Sequence, residues 1–321
     1  MSRTRNWERM RSSLDQIVRY LCCPDDKSPL DSRTDTLTCS QCGRSYPLLG
    51  DGIASLLPRE PAVPAANQEY ALAYKQQFHR AFETGDESMA WGIRETSPPA
   101  WIRKRERQRR AVFSVLNESA QPLHELVLCD VSAGPGDYTL GYARHFKWVL
   151  HCDLSVDSLQ YALRRCRQMG IGNVFFLRVD YFALPFCRSL DRILCLDSLA
   201  RGKDHEQAVL RQIQGALDPD GRAIVDFHHW WHNPLRRLGL LPQNFGQNRS
   251  YTRRQSETLL RESGIKKWKL IRFYQEFEPT EPRHKRLALV LPATRLMYEI
   301  ESYPSAGDKS ENEIRSGRLA G

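Results

Sequence analysis

The stretch DVSAGPGDY, residues 130–138, follows the apolar run ELVLC at 125–129 and decides the fold of this chain. An apolar run without polar alternation is typical of a strand that is buried on both faces of a parallel sheet. Gly134 and Gly136 allow the backbone to turn tightly after that strand and to approach a ligand closely. The pattern therefore predicts a strand, a ligand-binding glycine turn and a helix that begins at the turn.

The residues that follow repeat the alternation of strand and helix. Apolar strands are predicted at 148–154, 173–179, 192–198 and 222–228, and amphipathic helices at 155–170, 205–217 and 252–264. Ser155 is the predicted N-cap of the first of these helices and Gly170 its stop. We predict an α/β fold with a Rossmann-like doubly wound sheet. Two further strands, at 269–277 and 283–291, are expected to form an antiparallel pair at the sheet edge.

Composition shifts divide the chain into four parts. A cysteine-bearing unit at 16–58 precedes the proline- and alanine-rich stretch PREPAVPAAN, which marks a domain boundary. Residues 67–124 are predicted to be a helical lead-in, and residues 125–303 the sheet domain. The polar tail at 304–321 is expected to be disordered. We therefore expect a small N-terminal β domain in front of a larger α/β domain.

Charge and apolar content limit the partners and the location. The net charge is +9, and the densest basic run is RKRERQRR at 103–110. Such a run can bind nucleic acid, but without interleaved aromatic residues it is more typical of the solvated face of a helix. No run reaches the length that spans a membrane, and the first residues lack the apolar segment of a secretory signal. We expect a cytoplasmic protein with reduced cysteines and no membrane partner.

The glycine turn by itself is compatible with two cofactor classes. Asp153 lies 23 residues after Asp130, at the end of the second strand, where an acid binds ribose in nicotinamide enzymes and in adenosylmethionine enzymes alike. Tyr138 occupies the place of the last glycine of the dinucleotide pattern GxGxxG. Asp130 would repel a pyrophosphate but can anchor an amino group, and Asp180 ends the third strand, where it can accept from adenine. These details favour adenosylmethionine.

Residues 125–293 resemble the class I S-adenosylmethionine-dependent methyltransferases. The motifs DVSAGPG, DLSVDSL, VDYFALPF, DRILCLDS and LDPDGRAIVDF match those of the family in the same order. The resemblance implies that the cofactor is S-adenosylmethionine and that it is bound by Asp130, Ser132, Gly134, Gly136, Asp153, Leu154, Asp180, Tyr181 and Asp197. Ser132 departs from the pattern, since the family has its first glycine there, and a left-handed backbone at a serine would be strained.

Residues 17–58 resemble the zinc-ribbon-like activating partner of tRNA methyltransferases and the zinc module of some rRNA guanine methyltransferases. Cys39 and Cys42 form one CxxC pair, whereas in the other pair Asp26 stands three residues after Cys23. A zinc site of Cys23, Asp26, Cys39 and Cys42 is one expectation, with Cys22 as a substitute for Asp26. A metal-free unit held by its apolar residues is the alternative. In either case the resemblance implies a module that docks a protein partner or a substrate.

The methyl acceptor is the least determined part of the prediction. HHWWHNP at 228–234 follows the fifth strand and offers His228, His229 and His232 as candidate bases. The DPPY-type tetrapeptide of many amino-group nucleic-acid methyltransferases is absent after the fourth strand. We expect a methyltransferase that acts on a small or conjugated metabolite. The alternatives are an RNA methyltransferase that uses the ribbon and the basic run, and a non-catalytic scaffold.

Overall fold

The computed structural model describes residues 14–33, 36–49, 52–60, 99–118, 120–199, 203–229, 250–271 and 295–302. The strands are β1 Leu30–Arg33, β2 Thr36–Cys39, β3 Ser45–Leu49, β4 Ile53–Leu56, β5 Val127–Val131, β6 Trp148–Asp153, β7 Val174–Val179, β8 Leu190–Leu199, β9 Leu217–His228, β10 Trp268–Ile271 and β11 Arg295–Glu301. The α-helices are α1 Pro99–Leu116, α2 Asp137–Tyr142, α3 Val156–Gln168, α4 Lys203–Ala216 and α5 Arg253–Glu262.

Over the described residues, the strands form one mixed sheet in the order β1-β2-β3-β4-β7-β6-β5-β8-β9-β11-β10. The five strands β7, β6, β5, β8 and β9 are parallel neighbours, which confirms the predicted α/β class. The chain runs from β5 outward to β6 and β7 on one side, and then crosses to β8 and β9 on the other. The glycine turn after β5 therefore lies at the point where the strand order reverses, where doubly wound sheets bind their ligands.

The far edge of the sheet differs from the sequence prediction. β11 lies between β9 and β10 and is antiparallel to both. The second strand of the edge pair is thus 295–301, not the predicted 283–291, and those residues lie outside the described part of the chain. β11 begins with Arg295 and contains Glu299, and both of these charged residues are buried. Glu299 is paired with Arg222 at 3.1 Å, so its charge is compensated inside the fold.

The N-terminal unit is joined to the main sheet by its last strand. β4 pairs in parallel with β7, with Ile53 opposite Phe176 and Leu56 opposite Val179. A second junction lies nearby, where Leu21 forms an isolated bridge with Phe186 and the ammonium of Lys27 donates to the carbonyl of Leu184 at 2.6 Å. The unit covers the backbone of β7, which would otherwise be an unpaired edge strand.

Two hydrophobic clusters cover the two faces of the sheet. One combines Ile17, Tyr46 and Leu56 of the N-terminal unit with residues of α4 and α5, and the other combines α1, α2 and α3. α3 begins as predicted, because Ser155 Oγ accepts the N–H of Ser158 at 3.3 Å, and Gly170 ends it with a φ of +64°. Among the helices described, none has the length and the apolar run that crossing a bilayer requires.

Candidate functional site

The turn after β5 has a left-handed backbone at three positions. φ is +56° at Ser132, +55° at Gly134 and +86° at Gly136. A Cβ atom at Gly136 would lie 3.3 Å from the ring of His151 and 3.4 Å from the Cβ of Ala162. Glycine is therefore required at this position for two reasons, its φ and its close approach to β6 and α3. Ser132 carries the strain that the two glycines avoid.

Asp130 lies beneath the turn in a buried hydrogen-bond chain. Its Oδ2 accepts from the backbone N–H of Thr139 at 3.1 Å and from the hydroxyl of Thr139 at 2.7 Å. That hydroxyl also lies 2.8 Å from Nδ1 of His151. Burial raises the pKa of Asp130 to about 7 and lowers the pKa of His151 to about 3. His151 is thus neutral, and with the Thr139 hydroxyl donating to Asp130 it carries its proton on Nδ1.

Sequence reasoning missed both Thr139 and His151. The signal for His151 is a histidine inside the apolar run of β6, where a polar side chain needs a partner to be buried. Thr139 gives no comparable signal, because it stands two residues into a helix where threonine is common. The two side chains stabilise the turn from below.

Asp153 ends β6 and holds the turn from the side. Its Oδ2 accepts the N–H of Gly134 at 2.9 Å, and its Oδ1 accepts the N–H of Ser155 at 2.8 Å. Burial raises the pKa of Asp153 to about 6, against the lowering effect of these hydrogen bonds. One carboxylate thereby joins the end of β6, the start of α3 and the glycine turn.

The predicted cofactor residues lie along one edge of the sheet. They lie within the last residues of β7, β6, β5 and β8 or directly after them, and these four strands are direct neighbours in the sheet. Asp180, after β7, is buried and accepts the N–H of Phe182 at 3.0 Å. Leu154 and Tyr181 are half-buried beside these acids, and Asp197 lies near the end of β8. The structure therefore brings all nine residues to one edge.

Two of the three predicted histidine bases lie within the described residues. His228 is the last residue of β9, and its carbonyl accepts the N–H of Tyr251 at 2.8 Å. His229 is half-buried, and burial lowers its pKa. Both lie at the carboxyl end of β9, at the same edge of the sheet as the glycine turn. His232 lies outside the described residues, as do the neighbouring tryptophans at 230 and 231.

The basic run at 103–110 lies on α1, and part of it faces the protein. Arg105 Nη1 donates to Asp197 Oδ2 at 2.7 Å, Gln108 is buried, and the hydroxyl of Tyr142 donates to the carbonyl of Arg109 at 2.6 Å. The expectation of a solvated face is therefore wrong for this side of the helix. It holds for Arg103 and Arg110, which are exposed. A single sequence cannot separate the two sides, because arginine is suited both to solvent and to buried ion pairs.

The four candidate metal ligands of the N-terminal unit lie together. One ligand atom each from Cys23, Asp26, Cys39 and Cys42 lies within 4.8 Å of all the others. Zinc bonds of about 2.3 Å to sulfur and about 2.0 Å to oxygen give tetrahedral edges of about 3.8 Å between sulfurs and about 3.5 Å between sulfur and oxygen. Cys23 and Cys42 Sγ are 3.9 Å apart, and Cys39 Sγ is 3.4 Å and 3.5 Å from the oxygens of Asp26. The donor set and its spacing fit zinc.

Surrounding groups orient these ligands. The N–H of Cys42 donates to Cys39 Sγ at 3.3 Å, and the hydroxyl of Tyr46 lies 3.0 Å from Cys23 Sγ. The N–H of Ser28 donates to Asp26 at 2.9 Å and holds the pKa of that carboxyl well below its usual range. Outer-shell hydrogen bonds of this kind fix ligand geometry in metal sites.

Cys22 is not a member of this group. It is buried, and its N–H donates to the carbonyl of Pro185 on the methyltransferase-like part of the chain. The pKa of the Cys22 thiol is raised, mainly by a hydrogen bond with Cys187 and also by burial. The substitution of Asp26 by Cys22, which the sequence left open, is thus not what the structure shows.

Comparison with known families gives two matches. Residues 128–221 match a methyltransferase domain, and residues 20–48 match the Trm112p-like proteins. No curated protein sequence matches the chain. The matched segments include the glycine turn, Asp153 and Asp180 in the first case, and all four candidate metal ligands in the second.

Solved structures with a similar fold share little sequence with this chain. Magnesium protoporphyrin IX methyltransferase from Synechocystis, solved with bound SAH, is 16% identical with a TM-score of 0.49, and the alignment covers 73% of this chain and 99% of that one. The [4+2]-cyclase SpnF is 18% identical with a TM-score of 0.49 and coverages of 79% and 99%. A complex of the Haloferax volcanii Trm112 methyltransferase activator with a putative methyltransferase is 14% identical with a TM-score of 0.48 and coverages of 72% and 98%.

These similarities are too distant to carry an activity over to this chain. The assignment rests instead on the two matched segments and on the site within the larger one. That site is a glycine turn at the switch point of a doubly wound sheet, with acids at or near the ends of four neighbouring parallel strands. The chain therefore combines a methyltransferase domain, matched over residues 128–221, with a Trm112p-like segment in front of it, matched over residues 20–48.

Proposed function

We propose that this protein transfers the methyl group of S-adenosylmethionine to a small or conjugated metabolite. The observation that carries the acceptor class is the orientation of α1. Arg105 of the basic run is paired with Asp197, and the backbone of Arg109 is bound by Tyr142, so this side of the helix packs onto the domain. Nucleic-acid binding relies on solvent-facing cations. Among the described arginines of the run, those exposed are Arg103 and Arg110.

We assign the cofactor contacts from the carboxylate lone pairs that remain available at this edge of the sheet. Asp153 uses one lone pair of each carboxylate oxygen for a backbone N–H, and each oxygen has a second one that suits a ribose hydroxyl. We assign Asp180 to the adenine amino group and Asp130 to the methionine amino group. Leu154 and Tyr181 flank the adenine. Ser132, Gly134 and Gly136 bring the backbone close to the ligand.

When bound, S-adenosylmethionine supplies an electrophilic methyl group, and the chain's part is to align the acceptor and take its proton. We assign the base to His229, with His228 and His232 as its neighbours in the same segment. Because burial lowers the pKa of His229, its imidazole is neutral at neutral pH and can accept a proton. Its Nδ1 is buried and has no hydrogen-bond partner in the structure described. Asp197 remains paired with Arg105 and Arg295, so we assign it to positioning these side chains and not to taking a proton from the acceptor.

The Trm112p-like segment has a structural and a docking role in this proposal. Zinc held by Cys23, Asp26, Cys39 and Cys42 would tie the turn before β1 to the turn between β2 and β3. β4 of the same segment pairs with β7, so zinc binding would also stabilise the edge of the methyltransferase sheet. In this proposal the exposed surface of the segment binds a protein partner.

The test measures cofactor binding and methyl transfer on the same purified protein. Calorimetric titration with S-adenosylhomocysteine is expected to show binding that Asp153→Ala weakens by at least tenfold, since hydrogen bonds to a charged acceptor are lost. Asp157→Ala is the matched control, four residues further along at the start of α3. Transfer of radiolabel from methyl-labelled S-adenosylmethionine is then measured into a cell extract that is separated into small molecules and RNA.

Each result selects one of the three functions. Label in the small-molecule fraction, unaffected by ribonuclease, supports the proposal. Label in RNA, with an affinity that falls steeply with salt, supports an RNA methyltransferase instead. Absence of S-adenosylhomocysteine binding by the wild-type protein would refute catalysis and support a scaffold.

A further inference from the structure

Five side chains from five elements meet at the carboxyl edge of β8 and β9. This arginine cluster consists of Arg105 on α1, Tyr138 on α2, Asp197 on β8, Asp226 on β9 and Arg295 on β11. Arg105 Nη1 donates to Asp197 Oδ2 at 2.7 Å, and Arg295 Nη1 donates to Asp226 Oδ2 at 2.8 Å. Arg295 Nη2 is also paired with Asp197 Oδ1. The two arginines thus share one carboxylate between them.

The backbone at Asp197 is shaped to present that carboxylate. The pairing of β8 with β9 shifts register between Cys195 and Leu199, which is an irregularity of the kind that redirects side chains near binding sites. Within it, Asp197 has a φ of +63°, a strained conformation for a residue with a Cβ. The N–H of Asp197 donates to the buried Asp226 Oδ1 at 2.7 Å. Asp226 therefore holds both the strained backbone and Arg295.

The unused hydrogen-bonding capacity of the cluster lies on donors. Arg295 Nε and the hydroxyl of Tyr138 are both buried and have no hydrogen-bond partner among the described residues. Arg295 is 7% exposed and Tyr138 is 8% exposed, so bulk water has little access to hydrogen-bond with these donors. Burial raises the pKa of Tyr138 well above its usual range, so its hydroxyl keeps its proton and can donate. Buried donors without partners are costly and call for an explanation.

Asp197 and Asp226 balance the charges of the two arginines, but the unused hydrogen-bonding groups are donors, and a donor forms its strongest hydrogen bonds with an anionic oxygen. A guanidinium offers N–H groups in the planar geometry that carboxylate and phosphate accept. The aspartates hold the two guanidiniums in place and use part of their N–H groups. The cluster lies on the same edge as the glycine turn, one strand away from β5.

We propose that the arginine cluster is the acceptor subsite of the methyltransferase and that it binds an oxyanion, a carboxylate or a phosphate, carried by the methyl acceptor. Tyr138 and Arg295 supply the free donors, and Asp197 and Asp226 position them. This proposal rests on the proposed function, because it assumes that an acceptor enters at this edge. It narrows the small-molecule class to metabolites that carry an acidic group.

The test uses the full-length protein with saturating S-adenosylhomocysteine and two probes, acetate and inorganic phosphate. Thermal unfolding is followed while each probe is titrated, with sodium chloride of equal ionic strength as the reference. Saturable stabilisation beyond chloride is expected from at least one probe, and Tyr138→Phe is expected to weaken the apparent affinity of that probe by about tenfold, the loss of a hydrogen bond to a charged group. A stronger response to acetate identifies a carboxylate acceptor, and a stronger response to phosphate identifies a phosphorylated one.

Tyr142→Phe is the matched control, since it removes the same hydroxyl one turn later on α2. That hydroxyl is already bound to the carbonyl of Arg109, so its loss lowers the unfolding temperature without changing the affinity of the probe. Tyr138→Phe removes a hydroxyl that has no partner in the described structure, and it is expected to fold normally. Equal probe affinity in wild type and Tyr138→Phe, or no response beyond chloride, would overturn the proposal. Binding of S-adenosylhomocysteine is measured on the same samples, so failure of the cofactor site is seen separately.

Discussion

Replacement of Asp26 by alanine is expected to lower the zinc affinity of the N-terminal unit by about two orders of magnitude. The separations of 3.9 Å between Cys23 and Cys42 Sγ, and of 3.4 Å between Cys39 Sγ and Asp26, match the edges of a zinc tetrahedron. Structural zinc sites bind with about 10–16 kcal/mol, so one of four ligands accounts for roughly 3 kcal/mol. Asp26→Cys is expected to retain or increase the affinity, because it completes a set of four thiolates.

The assay is competition with a chromophoric chelator, together with metal analysis of each purified variant. Asp25→Ala is the control, since Asp25 is the neighbouring acid but is engaged by Arg44 at 2.7 Å and lies outside the ligand set. Wild type and Asp25→Ala are expected to hold one zinc ion per chain. Identical chelator curves for wild type and Asp26→Ala would show that Asp26 is not a ligand. A wild-type protein that binds no zinc would refute the geometric argument altogether.

Three further changes test the fold around the site by urea unfolding. Ser132→Gly is expected to raise the free energy of unfolding by about 1 kcal/mol, since it relieves a φ of +56°, whereas Ala133→Gly should lower it. Because burial raises the pKa of Asp130 to about 7, the folded chain keeps a proton that the unfolded chain releases near pH 4. The free energy of unfolding should therefore fall as the pH rises from about 4 to 7, by at most about 1.4 kcal/mol per pH unit from this group. Asp130→Asn should reduce that slope. Leu56→Ala, at a fully buried position of β4, should cost about 2–5 kcal/mol and destabilise the whole sheet in one transition; two separate transitions would contradict the shared core.

The cofactor edge is the part of the site that local sequence predicts best. Each acid directly follows an apolar strand, and parallel strands end at a common edge, so Asp153 and Asp180 could be placed beside the glycine turn without coordinates. The candidate metal ligands can also be predicted from local sequence. Spacing predicts that Cys39 and Cys42 lie on one turn, and the break at Asp26 could be identified because carboxylate oxygen also binds zinc.

The arginine cluster could not be predicted in this way. Its members are separated by up to 190 residues, and none of them stands out from its own segment. Arg105 is one of several arginines on a basic helix, and Arg295 is the first residue of an apolar strand. Burial of a charge is favourable only when a partner is present, and the partners of these arginines, Asp197 and Asp226, come from other strands.

The sequence by itself determined the class of fold, the order of the strands along the chain and the edge at which the proposed cofactor residues lie. These features depend on periodicity and on neighbours within a few residues. Only the tertiary structure decided that β4 pairs with β7, that β11 inserts between β9 and β10, and that α1 turns Arg105 towards Asp197. The physical reason is that strand pairing and ion pairing join segments that are distant along the chain. The local pattern of a segment is compatible with several partners, and packing of the core selects one of them.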